Sequence, residues 1–532
     1  MEIPRVALIG IDGGTWTILS NLINEGYLYS FMEIINKGTH SNLLSTIPPV
    51  TGAAWFAIAT GQDPGKTGII DFFKLGNGHR LIPVSSADYK DKAMWDILSA
   101  EGYTVGVLDY PMLWPAYPVR GFMVSSWGMK LDTWPPELLN DISRVAKGSI
   151  FVSYHLKKYN DLRAFFEDMD RAVDIKLKRS RYLLKSKKWN LFIDIFSFTD
   201  WLQHRLWHLI DSTHPYYPGK RESEKIYKKF AYYWQLIDDY IGEVMNYTDY
   251  IFVVSDHGFG PQWGVFNVYK WLEKNHFLVK RKSYLHNTIT RQLFNIALNV
   301  VRSHHNIISI LPKSIVLKAR EKVVKFSGVI ESIDLERSKV VLVGHTIPFG
   351  AIYINERCKS KDEVLSDLEH KLRNLSKELG RNLRVTIYKV KDIYHGSNVN
   401  MLPDIIFTIN DWSCVITKDP SANVIYRDGP YSPRHTGSHR LNGIFLAYGP
   451  EIASNKRVND ISVCDILPLI LHLFDVPIPR DVLGRVPRSI FKKNSYLASK
   501  QVLYVDRQYY KRKLLDCKVR YRVLRLKMQL RK

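Results

Sequence analysis

The apolar run Tyr250-Ile251-Phe252-Val253-Val254-Ser255 ends at Asp256-His257, and other strand-like runs of this chain end in a similar way. Val6-Ala7-Leu8-Ile9-Gly10-Ile11 stops at Asp12. Leu191-Phe192-Ile193-Asp194-Ile195-Phe196-Ser197-Phe198 stops at Thr199-Asp200. Short runs rich in β-branched and aromatic residues read as interior strands. Acids repeated at their C-terminal ends constrain the chain to an α/β sheet, because open sheets of this kind hold ligands at that edge. Carboxylates and imidazoles placed together there are metal-ligating types. One Asp-His pair alone would carry little, since such pairs also cap helices and strands. The repetition carries the reading.

Each candidate has an ordinary alternative. Asp12 is followed by Gly13-Gly14, which permits a tight turn; the spacing with Gly10 does not fit a dinucleotide fingerprint. A helix N-cap is the common duty of an Asp in that position. Asp200 and His204 are four apart, so a helix starting there puts both on one face, able to share one ion. His208 continues that stripe, and His214 follows. Thr51 comes after Pro48-Pro49-Val50 and before Gly52-Ala53-Ala54. Its hydroxyl is either a plain N-cap or a nucleophile at a helix N-terminus facing an anion. Arg434-His435-Thr436-Gly437-Ser438-His439 leads into the strand-like Ile444 to Tyr448. Spacing alone does not choose between His435 and His439 as a last ligand.

Taken together these residues resemble the type I phosphodiesterase/nucleotide pyrophosphatase family of the alkaline phosphatase superfamily. The stretches that carry the resemblance are Ile9 to Gly13, Pro48 to Thr51, Thr60 to Ile69, Asp200 to His204, Ser255 to Phe259 and Gly437 to Arg440. Asp465-Ile466-Leu467-Pro468 with Gly484-Arg485 is similar to the family's closing helix and turn. The resemblance implies an α/β fold with an alkaline-phosphatase-like core: a central, mostly parallel sheet flanked by helices, plus an inserted cap. It implies two divalent metal ions, usually zinc, although Asp/His sites also accept manganese or iron. Asp12, Thr51, Asp256 and His257 would hold one, and Asp200, His204 and His439 the other. His439 is preferred to His435 because the family's last histidine stands just before a short spacer, a Gly and a strand. Thr51 would be the nucleophile of a metal-dependent phosphoric ester hydrolase working through a phospho-threonine intermediate. One departure stands out: where the family commonly has a histidine after Pro-Gly-Lys, this chain has Thr67. That position is not a metal ligand in this scheme. Phosphomonoesterase, mutase and phosphonate hydrolase chemistries belong to the same superfamily, and fold does not select among them. A sulfatase is disfavoured by Thr51. The remaining alternative is a non-catalytic anion- or membrane-binding protein.

A chain of 532 residues accommodates one large α/β domain with an insertion. The expected organisation is a core over residues 1–275, a cap over 276–402, a second core part over 403–490 and a basic tail over 491–532. Within it, Trp95 to Glu101 reads as helix, Thr104 to Leu108 as strand, and Tyr110 to Pro115 as a loop at the metal edge. Lys147 to Lys188 reads as a basic helical stretch, and 276–338 as helical and basic. Ala351 to Ile354, Lys361 to Leu379 and Arg384 to Tyr388 read as strand, helix and strand. Pro403-Asp404-Ile405-Ile406-Phe407 is expected to return to the core.

The net charge is +23, and residues 492–532, with 14 Lys/Arg against 2 Asp, hold +12 of it. The tail fits helical spacing and strand alternation about equally. Its expected roles are a solvated extension partly packed on the body, or peripheral contact with anionic lipid or a polyanion. No aromatic stacking module or zinc-finger spacing points to sequence-specific nucleic-acid binding. The expected partner is a small phosphate ester such as a nucleotide or sugar nucleotide. Cys358, Cys414, Cys464 and Cys517 are far apart and suit a reducing compartment. With an early first strand and no long uncharged apolar stretch, the expected location is cytoplasmic, with a peripheral-membrane variant.

Overall fold

Continuous apolar strands need cover on both faces, and helices joined by crossovers supply it. In the computed structural model, which describes residues 3–76, 80–127, 129–153, 160–281, 329–343 and 348–515, this is the outcome. Val6–Ile11 and Leu191–Phe196 are buried along their whole length, as is Tyr250–Val254. They lie side by side in a 10-stranded central sheet. Val6–Ile11 is the middle one, parallel to both neighbours. Val105–Leu108 and Gly121–Ser125 extend the parallel part on one side. On the other, Asn442–Tyr448 runs antiparallel between Tyr250–Val254 and Thr39–Leu44. The sheet is therefore mostly parallel, with antiparallel strands towards its edges.

Register decides what the C-terminal edge presents. Ile11 pairs with Phe196, and Gly10 with both Ile195 and Val254. The three strands end level, so Asp12, Ser197 and Asp256 emerge beside one another. Helix Phe198–Ile210 starts at this edge and carries Asp200 and His204 on successive turns. Helix Thr51–Thr60 is buried throughout. It packs close to the sheet because Gly10 has no side chain; a Cβ there would lie 2.4 Å from the Trp55 indole.

The cap has its own apolar core and a four-stranded sheet, in the order Val340–Val341, Gly350–Ile354, Ile405–Ile409 and Val385–Lys389. This corrects one expectation. Pro403 to Phe407 leads not to the central sheet but to a strand pairing antiparallel with both Gly350–Ile354 and Val385–Lys389. An apolar strand shows that it is buried, not which sheet buries it. Likewise Val265–Asn267, short of the expected core boundary, pairs with Val415–Thr417 and Tyr426–Arg427 in a separate small sheet. The helix expected over Lys147 to Lys188 spans Leu162–Ser186, capped by Asp161, whose side chain accepts from Arg163 N–H. The Lys361 to Leu379 helix divides into Lys361–Arg373 and Leu375–Leu379. Most of the basic stretch 276–338 lies outside the described residues, as do residues 516–532.

The described part of the tail packs on the body. Tyr504–Val505 pairs with Ile478–Pro479, Tyr510 is buried, and Arg507 and Lys513 pair with Asp481 and Glu101. Among the described residues Cys358, Cys414 and Cys464 are free, and no helix is long and apolar enough to cross a membrane.

One buried ionic cluster braces the sheet beside its C-terminal edge. Lys176 pairs with Asp109 at 2.8 Å and with Asp194. Tyr240 Oη donates to Asp194 and Ser126 Oγ to Asp109. Burial alone would lower the Lys176 ammonium, but the two carboxylates outweigh it and hold its pKa above the ordinary value. Replacing Lys176 by Met leaves two buried carboxylates without their cation. The expected cost is about 3–5 kcal/mol, read from urea unfolding; an unchanged midpoint would show that the cluster does not brace the sheet.

Candidate active site

Six side chains converge at the edge in two groups, each able to hold a metal ion: Asp12, Asp256 and His257, and Asp200, His204 and His439. In both groups the donor atoms lie within 4.8 Å of one another and every residue is buried. His257 Nε2 stands 3.6 Å from Asp12 Oδ1 and 3.3 Å from Asp256 Oδ2. Asp200 Oδ1 is 3.3 Å from both His204 Nε2 and His439 Nε2. The His257 and His439 rings stack with centroids 3.7 Å apart, so the groups share a border.

Backbone partners orient the imidazoles. His204 Nδ1 meets Gly437 O at 2.9 Å, His257 Nδ1 meets Gly258 O at 3.0 Å, and His439 Nδ1 meets Pro49 O at 2.9 Å. A carbonyl only accepts, so each Nδ1 carries the proton and each Nε2 presents a lone pair to the site. Opposite them, Asp12 Oδ1, Asp200 Oδ1 and Asp256 Oδ2 are buried with no hydrogen-bond partner. Buried carboxylate oxygens without donors are costly. Three such oxygens facing three imidazole lone pairs form a donor set that fits two divalent cations.

The electrostatics agree. Burial, then the neighbouring charges of Asp256 and Asp200, hold the Asp12 carboxyl well above the usual range. Burial pushes Asp256 up to about 7. Burial, aided by His439, holds His257 well below the usual imidazole value. Burial would raise Asp200 as well, but His204 and His439 outweigh it and hold it well below.

The ordinary alternatives do not account for these residues. The helix after Asp12 has Thr15 as its N-cap, so capping does not explain the acid. Thr51 is the first helical residue, after the extended N-cap Val50. Its Oγ1 lies 3.2 Å from His257 Nε2. Gly52 lets the helix start against another segment, since a Cβ there would meet Asp71 O at 2.5 Å.

His439 reaches the site through a small antiparallel pair in which it sits opposite Phe259, two residues past His257. His435 instead stacks behind His204, with centroids 4.5 Å apart. His208 turns to Thr436 Oγ1 at 3.0 Å and His214 stacks on Trp263, so neither joins the two groups. Thr67 is occupied locally: its hydroxyl donates to Asp63 O at 3.0 Å and accepts from Ile69 N–H. Tyr110, Met112, Leu113 and Trp114 are buried, so much of that loop is core. Sequence reasoning gave no role to Gln203, within the Asp200 to His204 stretch, whose Nε2 donates to Gly13 O at 2.9 Å. It also passed over Thr199, whose hydroxyl donates to Asp12 O at 2.7 Å. Both tie helix Phe198–Ile210 to the Asp12 turn; the sequence motifs include or adjoin them but give no sign of this contact.

The family model for type I phosphodiesterase / nucleotide pyrophosphatase matches residues 6–439. The chain belongs to this family. It is a phosphodiesterase/nucleotide pyrophosphatase-type hydrolase. No curated protein sequence matches it. Solved structures similar to this hydrolase include murine ectonucleotide pyrophosphatase / phosphodiesterase 5, at 14% identity and TM-score 0.47 over 92% of this chain and 100% of that one. An inactive variant of the murine protein in complex with AMP has 14% identity and TM-score 0.44, covering 89% and 95%. The human counterpart has 16% identity and TM-score 0.45 over the same shares.

Proposed function

We propose that this hydrolase cleaves phosphodiesters or pyrophosphates with Thr51 as nucleophile, assisted by two divalent metal ions. One ion is held by Asp12, Thr51, Asp256 and His257, and the other by Asp200, His204 and His439. The observation that carries the reading is the two buried donor groups sharing a border beside Thr51 Oγ1. When bound, the two cations supply the charge that lets a Thr hydroxyl ionise near neutrality and that stabilises the departing oxygen. The protein does the rest. Thr51 Oγ1 attacks phosphorus, the bond to the leaving group breaks on the opposite side, and a phospho-threonine remains for water to hydrolyse. The first-turn N–H groups of helix Thr51–Thr60 have no intrahelical acceptor, which suits the non-bridging phosphate oxygens. Carbonyl partners at Nδ1 keep the three imidazoles aimed.

Zinc suits this mixture of nitrogen and oxygen donors, and manganese or iron are the competitors. A nucleotide or sugar nucleotide is the proposed substrate class. The test is hydrolysis of bis-p-nitrophenyl phosphate beside p-nitrophenyl phosphate, with chelator and with added zinc or manganese. The expected result is a metal-dependent preference for the diester. A preference for the monoester would replace this reading with a phosphomonoesterase.

A further inference from the structure

We infer that the cap segment Tyr394–Asn398 is a brace that sets the position of the nucleophile, with Tyr394 and Asn398 as positioning residues. This rests on the reading of Thr51 as the nucleophile.

Tyr394 is buried and its hydroxyl is fully used by one residue. It accepts from Ile47 N–H at 2.7 Å and donates to Ile47 O at 2.9 Å. Ile47 starts the path Ile47-Pro48-Pro49-Val50-Thr51, which belongs to no strand or helix before Thr51. Two prolines fix φ on that path and remove two donors, so the loop is stiff yet has few backbone bonds to hold it. What holds it is local and sparse: Thr46 Oγ1 donates to Pro48 O at 2.8 Å, and Val50 N–H donates to the same oxygen at 3.0 Å. Pro49 O accepts the Nδ1 proton of His439. Shifting Ile47 therefore moves Thr51 and the carbonyl that aims His439 together.

The same cap segment also grips the short helix Pro64–Thr67, which follows the nucleophile helix. Asn398 N–H donates to Gly65 O at 3.0 Å, and its Nδ2 donates to Lys66 O at 2.5 Å. The approach is backbone to backbone: a Cβ at Gly65 would lie 2.8 Å from His395 O, and one at Gly396 would lie 2.6 Å from Gly65 O. Between the two grips stands the apolar joint of Val50, Ile70, Phe349, Val390, Tyr394 and Ile406. Five consecutive cap residues thus hold both the loop before helix Thr51–Thr60 and the short helix Pro64–Thr67 after it. A cap that only covered substrate would not need hydrogen bonds to the nucleophile's own loop.

Misplacing a reacting group by about 1 Å costs on the order of 100-fold in rate. Tyr394→Phe keeps the ring and removes both bonds to Ile47. The expected result with bis-p-nitrophenyl phosphate is a kcat about 10–100-fold lower, KM within about threefold of wild type, and unchanged metal content. Inhibition by orthovanadate, which takes up the geometry of the attacked phosphorus, should weaken in parallel with kcat. Asn398→Ala, at a partly exposed position, should lower kcat in the same direction and decides the matter if Tyr394→Phe does not fold. A reduced melting temperature with wild-type kcat in the folded fraction would overturn the inference. Thr51→Ala run alongside separates the two ideas. Activity in Thr51→Ala removes the nucleophile reading itself; an inactive Thr51→Ala beside a fully active Tyr394→Phe removes only the brace.

Discussion

Thr51→Ala is expected to lower kcat for a diester by about 10⁴-fold or more while leaving metal content near that of the wild type. The size follows from what is removed. No other hydroxyl is assigned to the place held by Oγ1, 3.2 Å from His257 Nε2. The metal content should persist because Asp12, Asp256 and His257 are positioned by strand ends and a backbone carbonyl, none of which depends on the Thr side chain. Helix start and burial are also undisturbed, since Ala is a good helix former. Thr51→Ser restores a hydroxyl without the methyl group and should recover part of the activity. Mass spectrometry of quenched wild-type reactions should find phosphate on Thr51 and none in the Ala variant. Undiminished turnover in Thr51→Ala would sink the assignment.

Metal removal should abolish diester hydrolysis, and the affinity for the ions should rise with pH across neutrality. Without a cation, the Asp256 carboxyl holds its proton up to about 7, and burial with the neighbouring carboxylates raises Asp12 well above the usual range. A cation entering that group must displace those protons. Affinity therefore falls as pH falls, about tenfold per pH unit for each proton displaced. His257 does not oppose this trend, because burial keeps it neutral well below its usual value. Asp200, held low by its two histidines, stays ionised throughout the window, so its group should respond less. Competition with a chelating dye between about pH 6 and pH 8 reads the slope. An affinity flat with pH would show that Asp12 and Asp256 do not give up protons to the ion. Stability should follow occupancy. At free metal about 100-fold above Kd, each site contributes about 2.7 kcal/mol, so chelation should lower the melting temperature measurably.

Much of the site could be read from the chain. Asp12, Asp200 and Asp256 were legible because strand ends are local: an apolar run followed by an acid needs no knowledge of the rest of the fold. His204 was legible through its helical spacing from Asp200. The choice between His435 and His439 was not available from spacing, since both stand in the one short stretch Arg434 to Arg440. It turns on the pairing of Gly258–Pro261 with Gly437–Arg440, which carries His439 to Asp200 and leaves His435 behind His204. Lys176 was hidden for a related reason. It sits in a helix crowded with basic residues, and only packing shows which lysine is buried between Asp109 and Asp194. Tyr394 had no signal at all, being one aromatic residue among 30 tyrosines in the chain.

The sequence by itself determined the strands, their acidic ends and the helix that begins at Thr51, because these follow from hydrophobic runs and turn chemistry over a few residues. The tertiary structure decided which sheet each strand joins. Ile405–Ile409 is as apolar as a central strand yet completes the cap, because burial is a demand that either sheet can satisfy. It also decided which partners share an ion and which cap residue holds the nucleophile loop. Those choices are contacts between segments up to about 390 residues apart, as with His439 and Pro49. Their energy is realised only once register and packing have brought the segments together.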